Sequence, residues 1–208
     1  MHAYSTHESR VRVYSLLAVL SIAAAWLVSL VTSNFDWPQW LVSAPSVVGA
    51  YALLYRVFDK WFWRTPLAQR SWFLEVPDLS GTYDGKLTST YRDNTGDNMA
   101  IDISLVIQQT WTNMSVEMAV TSGTSTSWSM SAVGSISQDG TATRLIYLYR
   151  NKVNPGLADE DMRDHEGVAD LRVKTDGTLE GSYFNARKRE GTIQAIRRTA
   201  REKDAEAA

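Results

Sequence analysis

The sequence predicts an all-β protein on a membrane anchor: an up-and-down antiparallel β-barrel of about eight strands, preceded by two transmembrane α-helices. Three observations predict it. Two almost uncharged apolar runs, 13–33 and 40–58, open the chain. From Leu79 to about Thr199, apolar and polar residues alternate with a period of two. Short turn signals separate the alternating stretches, among them Asp93-Asn94-Thr95-Gly96, Ser122-Gly123, Asp139-Gly140 and Asp176-Gly177.

The run over 13–33, VYSLLAVLSIAAAWLVSLVTS, carries no charge. It has the length a helix needs to cross about 30 Å of hydrocarbon. The run over 40–58 carries only Arg56, close enough to its end to snorkel to the headgroups. The link between them, NFDWPQ, allows only a tight turn, so the two runs form an antiparallel hairpin. A buried soluble hairpin of this length would show a polar face. A signal peptide has a shorter apolar core and no second span behind it.

Arg10 and Arg12 precede the first run; Arg56, Lys60, Arg64 and Arg70 follow the second; the link holds only Asp36. The positive-inside rule then places both chain ends in the cytoplasm. Residues 1–12 read as an unstructured cytoplasmic tail and 59–78 as a juxtamembrane linker. Trp37, Trp40, Trp61, Trp63 and Trp72 sit at the span edges as interfacial anchors, and Trp61-Phe62-Trp63 suits the inner leaflet.

Residues 79–199 form the cytoplasmic domain, and 200–208 a charged tail. Strands are expected over 79–91, 100–111, 113–122, 125–137, 142–150, 164–175, 178–186 and 191–198. In the fourth of these, Trp128, Met130, Ala132 and Ile136 alternate with serines, which predicts an apolar inner face and a Ser-rich outer one. Short links favour a closed meander; a two-sheet sandwich is the competitor. An outer-membrane barrel is excluded, since a Ser- and charge-rich wall cannot face lipid.

Composition narrows the chemistry. The chain lacks cysteine, which excludes disulfides, Cys-zinc sites, iron–sulfur clusters and a thiol nucleophile. Three histidines are too few for a His-built metal centre, and no cofactor is expected. A net charge of −2 excludes a basic surface for DNA or RNA. The acidic cluster Asp159-Glu160-Asp161, with Asp164, His165 and Glu166 behind it, lacks the glycine of a calcium loop and reads as a solvated loop. There is no phosphate-binding glycine loop, nucleophile elbow or acid–base carboxylate pair, so the chain reads as a binder and not an enzyme.

If the first strand rises from the membrane at Leu79, one barrel mouth gathers Tyr91, Trp128, Tyr149, Arg150, His165, Asn185 and Arg187. Tyr83, Tyr147 and Tyr183 join apolar residues on inward faces. Aromatic rings, arginine forks and an asparagine amide suit a nucleotide. A lipid or other apolar ligand, or a protein held by a membrane-tethered scaffold, are the other classes; the polar mouth counts against the first.

The whole arrangement resembles the membrane effectors of bacterial CBASS anti-phage systems, of the class with two transmembrane helices and a β-rich domain. The resemblance covers about residues 10–199. It rests on the architecture, on Asp78-Leu79-Ser80-Gly81-Thr82-Tyr83-Asp84-Gly85, and on Gly181-Ser182-Tyr183-Phe184-Asn185 followed by Arg187 and Gly191-Thr192-Ile193. It implies a barrel that binds a cyclic dinucleotide made by a phage-activated nucleotidyltransferase. It also implies helices that assemble as a homo-oligomer and breach the inner membrane of the infected cell. The geometric candidates for the ligand are Trp128, Tyr83 and Tyr149 for stacking, Arg187 and Arg150 for phosphate, and Asn185 for a base edge. Small residues, Gly49 among them, would allow close helix packing.

Overall fold

Among the described residues nine strands close into a barrel: β1 (His2–Thr6), β2 (Gly81–Arg92), β3 (Asn98–Gln109), β4 (Asn113–Val120), β5 (Ser127–Asp139), β6 (Ala142–Val153), β7 (His165–Val173), β8 (Leu179–Asn185) and β9 (Glu190–Arg197). This is a computed structural model, and it describes residues 1–6, 10–32, 47–69, 74, 76–92, 98–121, 127–139, 142–153 and 164–198. The chain divides into two units, Met1–His7 with Pro77–Ala208, and Glu8–Val76. The link 34–39, the turns 93–96 and 122–123, the cluster 159–161 and the tail lie outside the described residues.

From β2 to β9 every sequential neighbour is an antiparallel partner, and β2 pairs with β9. That is the expected meander. The Asp176-Gly177 turn forms as its residues require: Gly177 takes φ +83°, Asp176 accepts from the Thr178 amide at 2.9 Å, and Lys174 N–H closes onto the Thr178 carbonyl at 2.8 Å. The inner wall packs Leu87, Ile103, Leu105, Ile107, Val116, Leu145, Leu171, Leu179 and Ile193, each at most 8% exposed. Alternation thus becomes a filled core, as a small barrel needs.

The first correction concerns the start of the chain. Residues 2–6, read as unstructured tail, are the ninth strand. β4 and β5 pair only over Glu117–Ala119 with Met130–Trp128. Toward the base of the barrel they part, and β1 fills the gap, antiparallel to β4 and parallel to β5. His-Ala-Tyr-Ser-Thr supports this locally: Tyr4 is 4% exposed, while Ala3 and Ser5 face out. Five residues without a turn signal carry too little periodicity to be read as a strand.

The second correction concerns β5. Its register with β6 shifts between Ser131 and Val133, so Ala132 is an extra residue. One extra residue inverts the faces. Ser129 and Ser131 are therefore buried inside, and Trp128 and Met130 lie outside at 37% and 41% exposure. Ile136, past the bulge, faces in as expected.

The other unit holds α1 (Val11–Thr32), α2 (Val47–Lys60), a 3-10 turn over Phe62–Arg64 and a short α3 (Pro66–Gln69). α1 is long and apolar enough to cross a membrane, and most of its large apolar side chains, such as Ile22 and Leu27, are exposed. Tyr14 near its start meets Tyr55 near the end of α2, ring centroids 6.3 Å apart, so the two run antiparallel. The expected second span begins at residue 40, and its first part lies outside the described residues. Trp63 is fully buried and not an interfacial anchor; its carbonyl accepts from Gln69, whose amide also reaches the Val76 carbonyl.

Candidate functional site

Cross-strand rows build the mouth of the barrel, the end away from Pro77. The row Ser129–Asn151–His165 faces inward across β5, β6 and β7. Below it runs Ser131–Tyr149–Gly167–Asn185, reaching β8. A third row joins Tyr147, Ala169, Tyr183 and Gly191, and ends at Ser89 on β2. Ser89, Ser129, Ser131, Tyr149, Asn151 and Tyr183 are all buried. The upper interior, the chamber of the barrel, is thus a buried layer of hydroxyls, phenols and a carboxamide above an apolar floor.

Glycines make room for the rings. A Cβ on Gly167 would stand 2.4 Å from the Tyr149 hydroxyl, and one on Gly191 2.8 Å from the Tyr183 ring. Each tyrosine therefore lies across the glycine opposite it on the next strand. Burial raises the Tyr149 and Tyr183 phenol pKa values above the usual tyrosine range. The neighbouring Tyr183 adds to the rise at Tyr149, whereas a hydrogen bond with Ser89 opposes it at Tyr183. Both rings present neutral hydroxyls to the chamber.

At the rim, Arg150, Lys152, Asp164, His165, Glu166, Ala186 and Arg187 line a groove of about 820 Å3, within the usual size range of small-molecule sites. Arg150 and Lys152 come from the outer face of β6, and Arg187 from the β8–β9 turn. Asn185 shapes that turn: its Oδ1 accepts from the amides of Arg187 and Arg189 at 3.0 and 3.2 Å, and Lys188 takes φ 58°. Arg150 donates to Glu166 Oε1 from Nε at 3.1 Å and Nη2 at 2.6 Å, both side chains more than half exposed. Lys152 Nζ stands 5.7 Å from the Trp128 ring centroid, which brings Trp128 to the groove's edge.

The six residues proposed from sequence therefore separate. Arg150 and Arg187 line the groove; Trp128 flanks it from outside, though an inward position was expected. Arg150 also points outward, because its inward neighbours are Tyr149 and Asn151. Tyr149 lies inside the chamber and Asn185 at its lip. Tyr83 stands apart at the barrel base, 2% exposed, with its hydroxyl donating to the Leu79 carbonyl at 2.9 Å. The side chain of Tyr91 lies outside what is described. Ser129, Ser131, Asn151 and Lys152 were missed. The available signal was Ala132-Val133-Gly134, which interrupts alternation in the middle of the strand.

Among the described residues no group of acidic or histidine side chains could hold a metal ion. Comparison with curated proteins finds no match. Two family models do match. Residues 11–64 fit the model described as Cap15, TM helices. Residues 74–197, more than half the chain and nearly the whole barrel, fit the model described as Cap15, cyclic dinucleotide receptor domain. A membrane-helix match joined to a receptor-domain match that spans more than half the chain places this protein in the Cap15 family of CBASS membrane effectors.

Proposed function

We propose that the mouth of the barrel binds a cyclic dinucleotide, and that binding assembles the membrane helices of several copies, disrupts the bacterial inner membrane and kills the infected cell. The family match over 74–197 carries the first part. The groove chemistry supports it. Arg187 and Arg150 would pair with the two phosphates, since guanidinium forks match phosphate oxygens. The exposed Arg150–Glu166 pair is worth at most about 1 kcal/mol, so Arg150 exchanges partners at little cost. Trp128 and Tyr149 offer ring faces, and Asn185, whose oxygen serves the turn, offers Nδ2 to a base edge. Tyr83 has no part in this site, because its hydroxyl is engaged at the base. The polar chamber lining disfavours a lipid ligand.

Assembly follows from linkage: the ligand must bind the assembled state more tightly than the resting one. Exposed Leu148 and Phe184 share one outward cross-strand row with Val168, an apolar surface suited to contact between copies. Chain connectivity supports an anchor with both ends on one side of the membrane, and the basic residues flanking the apolar runs make that side the cytoplasm. Residues before α1 and after α3 belong to one barrel, so an even number of crossings must separate them.

The test is thermal melting of the full chain in detergent against a panel of cyclic di- and trinucleotides. One cyclic dinucleotide at about 100 times its Kd should add about 2.7 kcal/mol, and Arg187→Ala should remove the gain. No shift across the panel would refute nucleotide binding.

A further inference from the structure

We propose that β1 couples the ligand chamber to the first membrane helix: a ligand in the chamber takes Ser131 away from His2, loosens β1, and so releases the segment leading into α1. The proposal rests on the reading of the mouth as the cyclic dinucleotide site.

β1 is pinned at two levels. Its upper end is held from inside the chamber. Ser131 Oγ accepts the Val116 amide at 2.8 Å and lies 2.8 Å from His2 Nε2. His2 Nδ1 faces the Ala3 carbonyl at 3.1 Å. With Nδ1 donating to that carbonyl, Nε2 is an acceptor, and the Ser131 hydroxyl donates to it. Ser131 thus stands at the fork where β4 and β5 part and β1 begins, and it belongs to the same inward row as Tyr149 and Asn185. The His2 ring also bounds the interior: a Cβ on Gly134 would lie 3.3 Å from its Cε1.

The lower end is held at the base. Tyr4 donates to the Trp111 carbonyl at 3.0 Å. Buried Gln109 donates from Nε2 to the Tyr4 hydroxyl and to the Pro77 carbonyl, each at 3.1 Å, and its Oε1 accepts from Leu79 N–H at 2.9 Å. One carboxamide therefore ties together both segments by which the chain leaves the barrel for its helices. Only residues 7–10 separate β1 from α1. A terminal strand of five residues, bonded to β4 through two residue pairs and to β5 through three, is the least anchored stave of the barrel.

The test is amide hydrogen exchange of the full chain in detergent, read at residues 2–6 with β7 as internal reference. Ser131→Ala should speed exchange of 2–6 about fivefold with β7 unchanged, as expected for loss of one neutral hydrogen bond. His2→Ala leaves the Val116–Ser131 bond in place and should do the same if Ser131→Ala fails to fold. Unchanged exchange of 2–6 in His2→Ala overturns the proposal. Cyclic di-GMP, cyclic di-AMP, cyclic GMP–AMP and cyclic di-UMP are then added in turn, with binding followed by calorimetry. A probe that binds should speed exchange of 2–6 in the wild type; binding with unchanged or slower exchange overturns the coupling. Failure of every probe to bind overturns the reading of the mouth, while the two variants still decide whether β1 is held from the chamber. A disulfide across Ala3→Cys and Asn113→Cys, paired residues on β1 and β4, should abolish the ligand-induced change, and reduction should restore it.

Discussion

Gln109→Met removes the buried carboxamide while nearly keeping side-chain length and volume. Three hydrogen bonds go with it, to Tyr4, Pro77 and Leu79. Tyr4 keeps its bond to the Trp111 carbonyl, so its hydroxyl is not orphaned. Leu79 N–H is, in a residue only 3% exposed, and the Pro77 carbonyl is orphaned in a partly buried place. An orphaned buried group costs about 1–3 kcal/mol. Counting the amide in full and the carbonyl at the low end gives about 2–4 kcal/mol. A barrel of this size loses about 3–5 °C per kcal/mol, so the midpoint should fall by about 6–20 °C. Tryptophan fluorescence of the full chain in detergent reads this directly, because Trp111 packs beside the site and is 1% exposed. A fall under about 2 °C would refute the claim that Gln109 holds the two exits together.

Other substitutions separate the site from the scaffold. Arg187→Ala should weaken cyclic dinucleotide binding at least about tenfold by calorimetry, the value of a charge-assisted hydrogen bond to phosphate, with the melting point of the free protein unchanged. Tyr83→Phe should cost about 1 kcal/mol of stability through the lost bond to the Leu79 carbonyl and leave affinity unchanged; a tenfold affinity loss would return Tyr83 to the site. Tyr83, Tyr147, Tyr149 and Tyr183 all have phenols raised above the usual range, chiefly by burial. The unfolded chain ionises them near pH 10, so their contribution is complete below that pH and lost as pH rises beyond it. Absorbance titration should therefore find Tyr83, Tyr147, Tyr149 and Tyr183 silent until the barrel unfolds; ionisation of these four near pH 10 in folded protein would contradict their burial.

The meander was legible because alternation and short turns are local properties. Ile103, Leu105 and Ile107 face the core as their spacing says. Two features were not local. β1 exists only because β4 and β5 diverge below Glu117, a consequence of tertiary pairing that five residues of sequence do not carry. The Ala132 bulge adds one residue to β5, and that residue exchanges a chamber of serines for an expected Ser-rich outer wall. Arg187 and Asn185 were legible because a hairpin tip after an alternating strand must lie at the mouth, whereas Tyr83 shares an inward face with the mouth residues but not their height.

The most direct test of the central claim is photo-crosslinking of the full chain with an azido-substituted cyclic dinucleotide, followed by mapping of the labelled peptides. The account predicts label on the mouth, in the peptides holding Trp128, Tyr149 to Lys152 and Asn185 to Arg187, suppressed by unlabelled ligand and by Arg187→Ala. Competable label at the barrel base around Tyr83, or on α1 and α2, with none at the mouth would contradict it.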